Sequence, residues 1–163
     1  MPTVLEAASE WSNLAVGWMI VVPMSLSLVV MLWVGDHSSR TGEKRWHGAL
    51  GLFLAAAGML FGTMTNNPLL AFLFMCMTGI GVYAPLGVWW SYPTTFLSGA
   101  AAAGAVGLIN SFGNTGGFVG PYLTGLLRDL TGSYAGAWVY LAVSMTGAGL
   151  LILTFRKTTP VDG

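Results

Sequence analysis

The sequence predicts an all-α membrane protein with about five transmembrane helices. Three observations carry that reading. Of 163 residues only 12 are charged, six acidic and six basic, or 7% where a soluble domain carries about 25%. Hydrophobic residues make up 55%, and mean hydropathy is +0.71. Between Arg45 and Arg128, 82 consecutive residues contain no Asp, Glu, Lys or Arg. A soluble fold needs hydrated charge over such a length. That excludes a soluble enzyme, a charged nucleic-acid binder and a disordered tail. No period-two alternation runs long enough for barrel strands, so the spans are read as helices of roughly 20 residues.

Residues 1–13 form an external N-terminal segment that carries Glu6 and Glu10 and lacks the basic start of a signal peptide. The membrane part covers residues 14–157. Its first span is about 14–34, uncharged, with Pro23 as a possible kink. Gly35 to His47 is polar, carries most of the charge, and is read as a loop. The second span, about 48–65, stops at Asn66-Asn67-Pro68, because proline disfavours helix at the residue before it. The third, about 69–90, contains Pro85 and ends at Ser91-Tyr92-Pro93-Thr94-Thr95. The fourth covers about 101–126, with Pro121 near its end. Arg128-Asp129 and Thr131-Gly132-Ser133 turn the chain into the fifth, about 134–155. Arg156-Lys157 stops that span, and 158–163 is a tail.

Basic residues set orientation, since loops rich in Lys and Arg stay in the cytoplasm. With five spans, one side holds Arg40, Lys44, Arg45, Arg156 and Lys157, and the other holds Arg128 alone. The polar loop, the Ser91 turn and the C-terminus are therefore expected in the cytoplasm. The N-terminus is expected outside. An outside N-terminus without a signal, ahead of an odd number of spans, leads us to expect further sequence before Met1.

The fourth span holds the richest polar pattern. Glycine costs about 1 kcal/mol in a helix interior, so its density there needs a reason. Small residues three or four apart let helices approach closely. Gly113 with Gly117, and Gly116 with Gly120, have that spacing. Asn110 and Asn114, at i and i+4, share a face. They read either as interhelical hydrogen-bond glue or as the lining of a solute cavity, where an amide offers both donor and acceptor. Trp89 and Trp90 close the third span. They read either as an interfacial belt or as a pocket wall.

Elsewhere the chemistry is sparse. Cys76 is the single cysteine, so no intrachain disulfide or CxxC site exists. His37 and His47 lack metal-ligand spacing and are expected to be solvated, and neither metal nor cofactor is predicted. Ser38 and Ser39 have no base placed for catalysis. With no ionisable cluster inside the spans, an enzyme is the least favoured class.

Three stretches resemble the C-terminal half of major facilitator superfamily transporters, most of all the anion:cation symporter branch of bacterial tartrate, phthalate and sugar-acid permeases. Gly35-Asp-His-Ser-Ser-Arg40-Thr-Gly42-Glu-Lys44-Arg45-Trp-His47 resembles the cytoplasmic loop between helices eight and nine. Ser91-Tyr-Pro93-Thr-Thr-Phe-Leu-Ser98-Gly99 resembles the exit of helix ten. Asn110-Ser-Phe-Gly113-Asn114 through Gly117-Phe-Val-Gly120-Pro121, with Asp129 and Thr131-Gly132-Ser133, resembles helix eleven and the following turn.

The resemblance implies that the five spans correspond to helices eight to twelve, and that 1–13 corresponds to the end of helix seven and its loop. It implies a bacterial inner-membrane location. It also implies a part of a secondary active transporter that moves an organic anion with protons or another cation by alternating access between two halves. Its expected partners are the lipid bilayer, a small organic anion, a co-transported cation and an N-terminal half absent from this chain, with no nucleic acid. Trp90 and Asn110 are the implied solute contacts, with Asn114 beside them or in packing. The loop motif comprises Gly35, Arg40, Gly42, Lys44 and Arg45, and helix packing falls to Gly113, Gly117 and Gly120. One departure is plain: Ser39 stands where the family loop usually has an acidic residue before the arginine. A competing expectation is a truncated, non-transporting chain with a structural or interaction role in the membrane.

Overall fold

The computed structural model describes residues 13–155, and among them every regular element is helical. The expected segments 1–13 (apart from Asn13) and 158–163, and the charges of Glu6, Glu10, Arg156 and Lys157, lie outside the described residues. Helix α1 is Asn13–Thr41, α2 Arg45–Met64, α3 Pro68–Tyr83 and α4 Leu86–Ser91. A 3-10 turn at Pro93–Thr95 leads to α5, Gly99–Thr131, and α6 is Ala135–Thr154.

The polar stretch read as a loop from Gly35 is mostly helix, which corrects the first boundary. α1 runs past Val34 to Thr41, so only Gly42 to Lys44 separate it from α2. Its polar end supplies its own bonds. Asp36 and Arg40 pair at i and i+4, 2.8 Å apart. The Ser39 hydroxyl donates to the Gly35 carbonyl, and that of Thr41 to the His37 carbonyl. Gly42 then adopts φ +67°, the left-handed geometry that ends a helix. Glu43 caps the next helix from just outside, accepting from the Trp46 N–H at 2.9 Å.

The other boundaries follow local chemistry. Asn67 accepts from the Leu69 and Leu70 N–H groups at 2.9 and 3.2 Å, while Pro68 occupies the first helical turn, where no amide hydrogen is needed. Pro85 divides the third span into α3 and α4. α5 ends where Gly132 takes φ +69° and donates to the Arg128 carbonyl at 2.8 Å.

Helix α2 sits at the centre, packed against α3 on one side and α6 on the other, while α1 packs on α3 and α4. The α2–α3 contact is made by small residues. A Cβ on Gly81 would fall on the Ala55 backbone nitrogen and 2.5 Å from the Gly51 carbonyl. One on Gly58 would lie 2.6 Å from Thr78 Oγ1, and one on Gly51 2.7 Å from Pro85 Cγ. On the α6 side, Gly149 receives the Phe53 ring. Ala56, Met59 and Ala142 form one buried cluster, and Val34, Ala84, Val88 and Tyr92 form another.

Four stretches are long and apolar enough to cross a membrane: Gly17–Thr41, Arg45–Met64, Pro68–Thr95 and Ala135–Thr154. The fourth expected span is helical but outside that set. α5 has 33 residues, about 50 Å at 1.5 Å each, yet its Gly, Asn, Ser and Thr dilute its apolarity. It contains no buried residue and packs chiefly on α6 and the 3-10 turn.

Candidate functional site

The α5 residues singled out in the sequence all lie on an open surface. Asn110 and Asn114 are exposed, and neither amide has a hydrogen-bond partner among the described residues. A Cβ added at Gly113, Gly116, Gly117 or Gly120 would meet nothing within 4 Å. These glycines therefore have no packing partner among the described residues. The close approaches that glycine permits in this structure are at Gly51, Gly58, Gly81 and Gly149 instead. The Gly51, Ala55, Gly58 spacing on α2 is the sequence signal for that contact. It was overshadowed by the greater glycine density of α5.

Helix α5 is uncovered around most of its circumference. One side carries Asn110 and Asn114, which have no partner among the described residues, and other sides carry glycine gaps and exposed Leu108, Phe112, Phe118 and Tyr122. Ser111 and Thr115 turn their hydroxyls back to the Gly107 and Ser111 carbonyls at 2.9 and 3.2 Å. That leaves the asparagines as the uncommitted donors and acceptors of this stretch. Unsatisfied amides are costly in hydrocarbon, so the side of α5 that carries Asn110 and Asn114 suits a polar cavity or another protein surface better than lipid.

Trp90 sits near the end of α4, 39% exposed. It shares no hydrogen bond or ring contact with Asn110. Its neighbour Trp89 lines a cavity, and its ring lies 6.5 Å from that of Tyr92.

The loop motif is gathered at one end of the bundle. Lys44 Nζ donates to the Ser91 carbonyl and hydroxyl at 3.2 and 2.9 Å and lies 5.9 Å from the Tyr92 ring centre. Partial burial draws the Lys44 ammonium below the usual lysine range. Arg45 donates to the Leu153 carbonyl at 2.6 Å, a charge-assisted bond that satisfies an orphan carbonyl of the last turn of α6. These bonds bring the 42–44 turn, the Ser91 turn and the end of α6 to the same end, as the five-span count requires. Gly35 and Gly42 have open space around them, and Arg40 is held by Asp36 alone.

The histidines depart from expectation. His37 and His47 are not simply solvated: Nδ1 of His37 and Nε2 of His47 are hydrogen-bonded at 2.7 Å, and His47 Nδ1 lies 3.3 Å from Glu43 Oε2. Trp33 stacks on His37 with ring centres 5.5 Å apart. The ten-residue separation hides this contact in the sequence, because it depends on α1 continuing to Thr41. Among the described residues no group of three or more His, Cys, Asp or Glu can hold a metal ion.

No family model matches the chain, and no solved structure matches it. Named proteins do. The chain is 37% identical over 152 residues to a protein of Agrobacterium vitis named "Putative tartrate transporter", covering 93% of this chain and 35% of that one. It is 32% identical over 156 residues to a protein of Pseudomonas putida named "Putative metabolite transport protein NicT", covering 94% of this chain and 34% of that one. It is 29% identical over 155 residues to a quinolone resistance transporter of Acinetobacter baumannii, covering 95% and 35%. The chain spans about a third of the length of these relatives. Its apolar helices and these matches make it an integral membrane protein homologous to bacterial transport proteins.

Proposed function

We propose that the chain forms the C-terminal part of a secondary active transporter for small organic anions such as carboxylates and sugar acids. The observation that carries this is the match over nine-tenths of the chain to a protein named for tartrate. In this reading the five spans correspond to helices eight to twelve, and the site forms between this part and an N-terminal half. Asn110 supplies amide contacts to the anion, Trp90 packs on its apolar portion, and Asn114 supports Asn110. The amides and glycines of α5 support this reading, since none of them has a partner among the described residues. Gly113, Gly117 and Gly120 are the points where a helix of the other half comes closest. Transport is driven by protons or another cation and proceeds by alternating access. The charged groups for coupling and for anchoring the anion come from the other half, because the described spans carry no charge between Arg45 and Arg128. The end bearing Lys44 and Arg45 faces the cytoplasm of a bacterial inner membrane.

The quinolone relative shows that similar sequence accompanies a differently named transporter, so the site residues need a direct test. The chain is co-produced with the N-terminal half of the tartrate-named relative, and uptake of labelled tartrate and sugar acids is measured in vesicles. Asn110→Ala is expected to weaken apparent affinity about tenfold or more, the loss of a hydrogen bond to a charged group. Unchanged affinity and rate in that variant would refute the site assignment.

The exposed α5 face also favours a second reading, a membrane interaction role without transport. Recovery of the chain only as a monomer, and its rapid proteolysis, would count against that role.

A further inference from the structure

At the Lys44 end of the bundle, α2, α3, α4 and α6 enclose an open groove of about 430 Å³. Its walls are apolar and include Leu52, Val82, Leu86, Trp89, Leu151 and Phe155. Leu151 and Phe155 remain 65% and 41% exposed, so the groove opens on the surface of helices apolar enough to cross a membrane. Its polar end is unusual. Tyr92 lines the groove and is 6% exposed, yet among the described residues its hydroxyl has no hydrogen-bond partner, and the buried Nε of nearby Arg45 has none either. Buried donors are almost always paired, so these two call for an acceptor beyond the described residues. Lys44 Nζ lies 5.9 Å from the Tyr92 ring and spends two of its three donors on Ser91. Of the charges nearby, Lys44 and Arg45 outnumber Glu43, whose carboxylate accepts from the Trp46 N–H and lies 3.3 Å from His47 Nδ1, so the net sign is positive.

We propose that this groove binds an anionic glycerophospholipid, with one acyl chain along the apolar walls and the phosphate at Lys44, Arg45 and Tyr92. A phosphate is an acceptor-only anion with several oxygens, which matches the unused donors of Lys44, Arg45 and Tyr92. The apolar body continuous with a cationic end fits an amphiphile better than a small polar solute. The setting agrees with basic pockets between membrane helices that take lipid headgroups. The proposal rests on membrane residence and not on the transport reading.

The full 163-residue chain is purified in neutral detergent, and retention of phosphatidylglycerol and phosphatidylcholine is measured by native mass spectrometry. Phosphatidylglycerol is expected to be retained about tenfold over phosphatidylcholine, the scale of one hydrogen bond to a charged group. Tyr92→Phe combined with Lys44→Gln removes that preference while leaving the groove walls in place. Ala148→Leu, which fills the groove, lowers retention of both lipids. Circular dichroism verifies the fold of each variant, and the conservative Tyr92→Phe variant alone keeps the test decisive if Ala148→Leu fails to fold. Equal retention of the two lipids overturns the proposal. So does an unchanged preference in the folded Tyr92→Phe, Lys44→Gln variant, full displacement of the lipid by inorganic phosphate, or a crosslinked second copy in the groove.

Discussion

Replacing Gly81 by alanine tests the helix arrangement most sharply. Alanine is the better helix former by about 1 kcal/mol, so local propensity alone would stabilise α3. The structure opposes this. The new methyl would lie on the Ala55 backbone nitrogen and 2.5 Å from the Gly51 carbonyl, where carbon contacts prefer about 3.5–4.0 Å. Both obstacles are main chain of α2, so no rotamer relieves them and the helices must separate by about 1 Å. A gap of that size forfeits a quarter to a half of each contact across the interface. Overpacking of this kind costs about 1–3 kcal/mol, occasionally more, and backbone obstacles place Gly81 at or above the top. After the propensity gain, a net loss of about 2 kcal/mol remains. For a chain of this size that lowers the unfolding midpoint by roughly 4–8 °C. The assay is thermal unfolding in detergent followed by helical circular dichroism. Gly117→Ala is the control, because its methyl meets nothing within 4 Å; it is expected to leave the isolated chain unchanged or stabilise it by up to about 1 kcal/mol. If Gly81→Ala were as stable as Gly117→Ala, the close α2–α3 packing would be wrong.

Other outcomes follow from the same geometry. Asn67→Ala removes the acceptor for two amides at the start of α3 and should cost about 1 kcal/mol in the same unfolding assay. Arg45→Gln breaks the 2.6 Å bond to the Leu153 carbonyl; a loss of about 1.5–3 kcal/mol is expected, with faster hydrogen exchange in the last turn of α6. Asn110→Ala should leave the isolated chain within about 0.5 kcal/mol of the parent, as befits an exposed side chain without partners. In the completed transporter, Gly117→Ala should reverse its behaviour and reduce uptake, because the proposed partner helix then occupies the open space.

Composition made the helical membrane class legible, and breakers located the turns at Asn67-Pro68 and Gly132, whereas Pro85, read as lying inside one span, divides it into α3 and α4. The end of α1 was harder to read. Polarity from Gly35 suggested a loop, but hydroxyl-to-carbonyl bonds and the Asp36–Arg40 pair continue the helix at an exposed end, where polar side chains cost nothing. Glycine spacing and density both point to α5, where no described residue covers the glycines, whereas the close approaches lie at Gly51, Gly58 and Gly81. Spacing does not specify which face meets a neighbour. The His37–His47 bond and the Lys44–Ser91 bond link segments apart in the chain, and only the fold brings them together. Asn110 was legible as a polar exception within an otherwise apolar stretch, but its openness became visible only when α5 proved to lack a covering helix.

Uptake of labelled tartrate into vesicles holding this chain alone, or together with a relative's N-terminal half, tests the central claim most directly. The account predicts no uptake above empty vesicles for the chain alone and saturable, cation-dependent uptake when both parts are present. Equal uptake by the chain alone would contradict it, as would a stably assembled pair that moves no organic anion.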